Sequence, residues 1–167
     1  ICYVHTYSND EPYWAVVEAV KQLDNVTLYI TGNDKKSTHP LENSDKIVHT
    51  GFISRSEYLG LLNNCDSVMV LTTRDNTMQK GGNEALSLEK PIIISDFEFL
   101  RSYFSKGCVY VKADSESIKQ GVLDMINQYN RYQKGIKELK KSLEEKNTRS
   151  IMRILDILNT KKVKGLE

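Results

Sequence analysis

Ser67-Val68-Met69-Val70-Leu71-Thr72, a polar loop, Gly81-Gly82-Asn83-Glu84-Ala85-Leu86-Ser87-Leu88-Glu89 and then Pro91-Ile92-Ile93-Ile94-Ser95 form the stretch that decides the fold. Two near-continuous apolar runs flank a segment with helical character. A strand with one wet face alternates, whereas a strand covered on both faces is apolar at nearly every position. Strand, helix, strand is the βαβ unit, and its crossover makes the two strands parallel.

The same alternation extends in both directions. Ile1–Tyr7, Val26–Thr31, Ile47–Thr50 and Cys108–Val111 read as further buried strands. Asp10 is placed to cap a helix with Pro12 in its first turn and Trp14, Val17, Val20 and Leu23 along one side. Ser54-Arg55-Ser56-Glu57 has the capping-box pattern ahead of Tyr58, Leu61 and Leu62. Asp114 caps a helix carrying Ile118, Val122, Met125, Ile126 and Tyr129. Strands alternating with helices predict an α/β fold, a doubly wound parallel sheet of about six strands, Rossmann-like. The longest irregular segment is the polar loop Gly32–Asp45.

Residues 1–130 are expected to form this ligand-binding domain. From Arg131 to residue 165 the chain turns rich in Lys and Glu, with Ile136, Leu139 and Leu143, then Ile151, Ile154, Leu155 and Leu158. That pattern predicts one or two amphipathic helices belonging to the same domain, broken near Asn147-Thr148. Leu166-Glu167 resembles a remnant of cloning, and the start at Ile1 without Met suggests a fragment.

The chain has 167 residues, enough for one domain with a sizeable core. Lys plus Arg (23) nearly balance Asp plus Glu (22), so no net charge draws it to nucleic acid or to an anionic membrane. No run reaches the roughly 18 apolar residues of a membrane span. Cys2, Cys65 and Cys108 have neither CxxC nor metal-ligand spacing and read as small buried hydrophobes in a reducing compartment. His5, His39 and His49 lack ligand spacing too, so no metal is expected; His5, ending the first strand, is placed to line a cleft. There is no GxGxxG, no P-loop and no apparent nucleophilic triad.

In an open parallel sheet the ligand sits beyond the carboxyl ends of the strands. The richest loop there is Thr72-Thr73-Arg74-Asp75-Asn76-Thr77-Met78-Gln79-Lys80, running into Gly81-Gly82 and a helix over 82–89. Paired glycines before a helix start let backbone N–H groups approach an anion, and a diphosphate suits them. Glu84, in the first turn of that helix, is the carboxylate able to accept both hydrogen bonds of a ribose diol. Its plainer reading is a charge complementing the helix dipole.

The run Gly81-Gly82-Asn83-Glu84-Ala85-Leu86-Ser87-Leu88-Glu89-Lys90-Pro91-Ile92-Ile93-Ile94-Ser95-Asp96 resembles the hallmark segment of family-four glycosyltransferases of the GT-B class. Tyr29-Ile30-Thr31-Gly32-Asn33, Val48-His49-Thr50-Gly51-Phe52-Ile53 and Asp66–Leu71 are similar to three further elements of that family, in the right order. The resemblance runs from about residue 3 to residue 130. It implies the C-terminal, donor-binding domain, with Glu84 on the nucleotide ribose and Gly81, Gly82, Thr77, Gly51 and Phe52 around the nucleotide sugar. The family's first Glu, which contacts the transferred sugar, falls on Asn76, a departure that removes a charge; Asp75 is the neighbouring carboxylate. The family's cationic grip on the diphosphate is missing from the first loop, Thr6–Pro12, leaving Arg74 and Lys80 as its nearest replacements.

What the resemblance implies is retaining, metal-independent transfer from a nucleoside-diphosphate sugar to a saccharide or lipid-linked acceptor, as in polysaccharide biosynthesis. No cofactor is implied, and no catalytic residue can be named in this half. The acceptor would be held by a missing N-terminal domain. The whole protein would be cytoplasmic, at the inner membrane face as a peripheral enzyme. The competing readings are a non-catalytic nucleotide-sugar-binding domain and a GT-B-type nucleotide-sugar epimerase. A signalling receiver is disfavoured because Thr50-Gly51-Phe52 ends its strand without an acid.

Overall fold

The computed structural model describes the backbone of residues 1–164 and the side chains of residues 1–159. Six strands, β1 (Cys2–Tyr3), β2 (Leu28–Ile30), β3 (Ile47–His49), β4 (Val68–Val70), β5 (Ile92–Ser95) and β6 (Cys108–Val111), form one parallel sheet in the order β3-β2-β1-β4-β5-β6. The order reverses between β1 and β4, the switch point of a doubly wound sheet. β6 spans its expected run, whereas β1 to β5 are shorter than theirs, β1 most of all.

The helices are α1 (Tyr13–Lys21), α2 (Arg55–Asn64), α3 (Lys80–Ser87), α4 (Glu98–Tyr103), α5 (Ser115–Asn127) and α6 (Tyr129–Lys164). They cover both sheet faces and enclose two cores. Tyr3, Leu28, Ile30, Met69 and Ile93 face Val16, Val17, Val20, Ile118 and Val122 of α1 and α5. Cys2, Val68, Val70, Ile92 and Ile94 face Leu62, Ala85, Leu86, Leu100 and Ile136 of α2, α3, α4 and α6. Burying a Leu, Ile or Val side chain contributes about 1.5–3 kcal/mol, so these two layers carry most of the stability. The three cysteines are free and buried among them.

Capping is as expected at two helices. Ser54 and Glu57 make the reciprocal capping box of α2, and Asp114 accepts from the Ser117 N–H at the start of α5. Elsewhere the structure corrects the expectation. Asp10 does not cap α1, whose N-cap is Pro12 and whose first residue is Tyr13. Asp10 accepts from the Thr72 hydroxyl at 2.7 Å instead, latching the first loop to the end of β4. Trp14 is half exposed, and Tyr13 and Val16 take its expected place on the buried stripe. The glycine pair is not a turn ahead of a helix: Gly81 and Gly82 lie inside α3, which starts at Lys80 and ends at Ser87. Glu84 therefore sits in the second turn.

The tail is a single helix with no break at Asn147-Thr148. The Thr148 and Ser150 hydroxyls donate to the carbonyls of Glu144 and Lys146, so both hydroxyls are satisfied within the helix. Ile136 and Leu139 are buried against the sheet, whereas Ile151, Ile154, Leu155 and Leu158 are each about half exposed. Leu166-Glu167, read as a remnant of cloning, lies outside the described residues, as does residue 165. No described helix is long and apolar enough to cross a membrane.

Candidate functional site

At the carboxyl ends of β1 to β4 opens a cleft of about 550 Å³, in the range of small-ligand sites. The loop after β1 gives it His5, Thr6 and Glu11; the turn after β2 gives Thr31 and Gly32; the loop after β3 gives Gly51, Phe52 and Ile53. Arg55 and Tyr58 come from α2, and Gln79, Lys80, Gly81 and Glu84 from the start of α3. A larger cavity of about 750 Å³ lies between the start of β6, at the sheet edge, and α6, away from the loops that follow the strands. Topology favours the smaller cleft.

Glycine fixes two walls of this cleft. Gly32 has φ 107°, and a Cβ there would stand 2.2 Å from the His5 carbonyl oxygen, so β1 and the β2 turn touch backbone to backbone. Gly81 lies over the switch point, where a Cβ would stand 2.8 Å from Val70 and 2.9 Å from Val4. The absence of a side chain lets the first turn of α3 settle onto β1 and β4. Lys80 and Gly81 line the cleft and open the helix, so their N–H groups lie at its positive end without an intrahelical acceptor.

Glu84 is held at the cleft wall from two helices. Its Oε1 accepts from Arg55 Nη1 at 2.8 Å, with Lys80 Nζ at 3.9 Å, and its Oε2 accepts from the Tyr58 hydroxyl at 2.6 Å. Burial first, and then the bond to Glu84, push the Tyr58 phenol well above its ordinary range, so it remains a donor. Arg55 and Tyr58 were missed by the sequence reading. Their signal was the capping box itself, which fixes where α2 begins and thus which of its residues overhang the strand ends.

The candidates divide. Glu84, Gly81, Lys80, Gly51 and Phe52 all line the cleft, and Phe52 is 86% exposed at its mouth. Gly82 does not: a Cβ there would point at the Phe104 ring, 2.8 Å away on the core side. Arg74, Asp75, Asn76 and Thr77 are not brought to the cleft wall. Arg74 reaches Asp10 at 3.7 Å and stays exposed. Asn76 has φ 55° and occupies an exposed bend, its N–H bonded to the Asp75 carboxylate.

The histidines, far apart in sequence, gather around Tyr7 and Tyr13. Ring centroids are 4.4 Å apart for His5 and Tyr7, 4.4 Å for Tyr13 and His39, and 6.0 Å for Tyr13 and His49. His49 joins β3 to the first loop, Nδ1 meeting the Tyr7 hydroxyl at 3.0 Å and Nε2 the Glu42 carbonyl at 2.9 Å. Among the described residues no three His, Cys, Asp or Glu side chains converge as a metal site would require. Burial lowers the pKa of His5 to about 4, with His39 and His49 adding to the shift, so His5 is neutral at pH 7.

Comparison with solved structures returns the same architecture. The Anabaena protein HepE, solved in complex with UDP, superposes with a TM-score of 0.70 at 14% identity, covering 95% of this chain and 48% of HepE. Sucrose-phosphate synthase from Thermosynechococcus elongatus gives 0.69 at 15% identity over 94% of this chain and 44% of the enzyme. The catalytic domain of cholesterol-alpha-glucosyltransferase from Helicobacter pylori gives 0.62 at 16% identity over 85% of this chain and 96% of that one. At these identities the likeness is one of fold, and the chain spans less than half of the first two proteins. No curated protein sequence matches it. A sequence model of one family, the glycosyl transferases group 1, matches residues 1–142. With that match across most of its length, and with the doubly wound sheet of GT-B enzymes, the chain belongs to the glycosyl transferases group 1.

Proposed function

We propose that the cleft at the ends of β1–β4 binds a nucleoside-diphosphate sugar and that this chain is the donor-binding half of a glycosyltransferase. The observation that carries the reading is Glu84, a carboxylate fixed at the cleft wall by Arg55 and Tyr58, beside the open N-terminus of α3. A ribose diol offers the two donors a carboxylate accepts, and a diphosphate suits the helix start. Phe52 at the mouth offers a face on which a base can stack. Arg55 and Lys80, rather than Arg74, are the cations within reach of a diphosphate here. UDP bound to HepE supports a uridine nucleotide as the first probe.

In this reading Glu84, Arg55, Lys80 and the α3 amides bind, and the leaving diphosphate needs only electrostatic stabilisation. Transfer proceeds with retention and without metal. The acceptor, a saccharide or lipid-linked sugar, is held by an N-terminal domain facing this cleft, in a cytoplasmic enzyme peripheral to the membrane. The chain by itself then binds donor without transferring sugar. A thermal-shift screen with UDP and GDP tests the reading. At a hundredfold excess over the dissociation constant, binding adds about 2.7 kcal/mol of stability. No response to any nucleoside diphosphate at millimolar concentration would overturn it.

A further inference from the structure

Among the described residues, two buried side-chain polar atoms lack a hydrogen-bond partner, the Tyr3 hydroxyl and His5 Nε2, and His5 lines the cleft. The His5 tautomer follows from its neighbour. The Tyr7 backbone N–H, which can only donate, points at Nδ1 at 3.2 Å, so the ring proton of the neutral imidazole is on Nε2. That N–H stands 3.5 Å from Glu11 Oε2 without forming a bond to it. The Glu11 carboxylate is held in place by the N–H groups of Thr6 and Ser8 and by the Thr6 hydroxyl, and it also lines the cleft. A buried donor is thus set beside a fixed acceptor, at a spacing that lets one oxygen atom lie within hydrogen-bond distance, about 2.7–3.0 Å, of both.

We infer that His5 and Glu11 recognise a hydroxyl group of the sugar carried by the nucleotide, and so help to set which sugar this domain accepts. This rests on the nucleotide-sugar reading of the cleft. The chemistry selects a hydroxyl over a phosphate. A hydroxyl accepts from Nε2–H and donates to the carboxylate at once, whereas a phosphate oxygen is only an acceptor and is repelled by Glu11. The ribose already has Glu84, on the α3 side of the cleft. The pair also supplies a carboxylate for the sugar where Asn76, in the position expected to do so, is uncharged and away from the cleft wall.

Two substitutions separate the donor from the ring's structural part. His5→Asn keeps an acceptor for the Tyr7 N–H but removes the donor at the Nε2 position; His5→Gln restores a donor near Nε2. Titration calorimetry compares UDP with UDP-glucose, UDP-galactose and UDP-N-acetylglucosamine, and GDP with GDP-mannose, on the 167-residue chain. The expected result is that the best sugar nucleotide binds His5→Asn roughly tenfold more weakly than wild type, the size of one lost hydrogen bond. UDP and GDP stay within about twofold, and His5→Gln recovers part of the loss. In wild type, the His5 Nε2 signal in ¹⁵N imidazole spectra moves with the sugar nucleotide and not with the diphosphate. If nucleoside diphosphates bind but the sugar leaves the His5 signal unmoved, or His5→Asn weakens both ligand classes equally, the sugar contact is overturned and the nucleotide site stands. If no nucleotide binds at all, the functional reading fails and takes this inference with it.

Discussion

Tyr58 donates its phenolic hydrogen to Glu84 Oε2 at 2.6 Å, joining the second turn of α3 to a helix that begins 25 residues earlier in the chain. The bond fixes the carboxylate at the cleft before any ligand arrives, and pre-set geometry lowers the ordering cost of binding. Glu84→Gln is expected to weaken nucleoside diphosphates and sugar nucleotides alike, by about 1.5–3 kcal/mol, since every donor carries a ribose. Tyr58→Phe, which leaves the carboxylate and its bond to Arg55 but removes one of its two hydrogen bonds, is expected to lose less than Glu84→Gln. Calorimetry on both variants checks the order; an unchanged affinity in Glu84→Gln would leave Glu84 with a structural role alone.

Asn76 occupies an exposed bend with its backbone held by Asp75, away from the cleft wall. Asn76→Ala is therefore expected to leave affinity for UDP and for the intact sugar nucleotide within about 0.5 kcal/mol, the usual scale for surface changes. The same titrations decide it, and a selective loss of sugar nucleotide would show that the loop moves inward on binding.

Gly81→Ala sets two effects against each other. Alanine gains about 1 kcal/mol of helix propensity over glycine. Its methyl would stand 2.8 Å from Val70 and 2.9 Å from Val4, both on the sheet, and overpacking of this kind costs about 1–3 kcal/mol. The net expectation is a destabilised domain with weakened nucleotide binding, because lifting α3 also withdraws its amides from the cleft. Urea denaturation with the m-value held constant measures the first effect, and a stabilised variant would refute the packing argument.

His5 predicts an acid-labile loop. Its pKa in the folded state is about 4, below the ordinary 6.5, because burial excludes the charged ring. The unfolded chain therefore binds the proton more readily between these values. This contribution to stability is complete above about pH 6.5 and is lost as pH falls towards 4, a total on the order of 3 kcal/mol. Glu11 has the opposite sign: burial raises its pKa, so its own cost grows as pH rises through its titration. Denaturation midpoints of wild type and His5→Gln between pH 4 and 7 should converge towards the acid end. Parallel curves would show that His5 is not the group responsible.

The sheet was legible because burial on both faces leaves a mark at every residue. Val68–Val70 and Ile92–Ile94 are apolar without interruption since helices lie above and below them. Caps were legible where the signal is local, as with Ser54 and Glu57. Asp10 misled for the same reason. Its side chain is of the capping kind, but the Thr72 hydroxyl, 62 positions away, competes for it and wins. Thr148 misled because a polar residue that suggests a break is satisfied by its own helix.

By itself, then, the sequence determined the alternation of strands and helices, the parallel sheet, and Glu84 beside Gly81 as the residues to watch, all properties of spacing along the chain. Tertiary structure alone decided which side chains share the cleft. Arg55 and Tyr58 meet Glu84, and His5 meets Glu11 across a turn at Tyr7, while Asn76, at the spacing the family motif requires, is not among the residues lining the cleft. The physical reason is that a parallel sheet collects the ends of distant strands at one edge. A loop residue's place there depends on the backbone path between strand and helix, which no periodicity records.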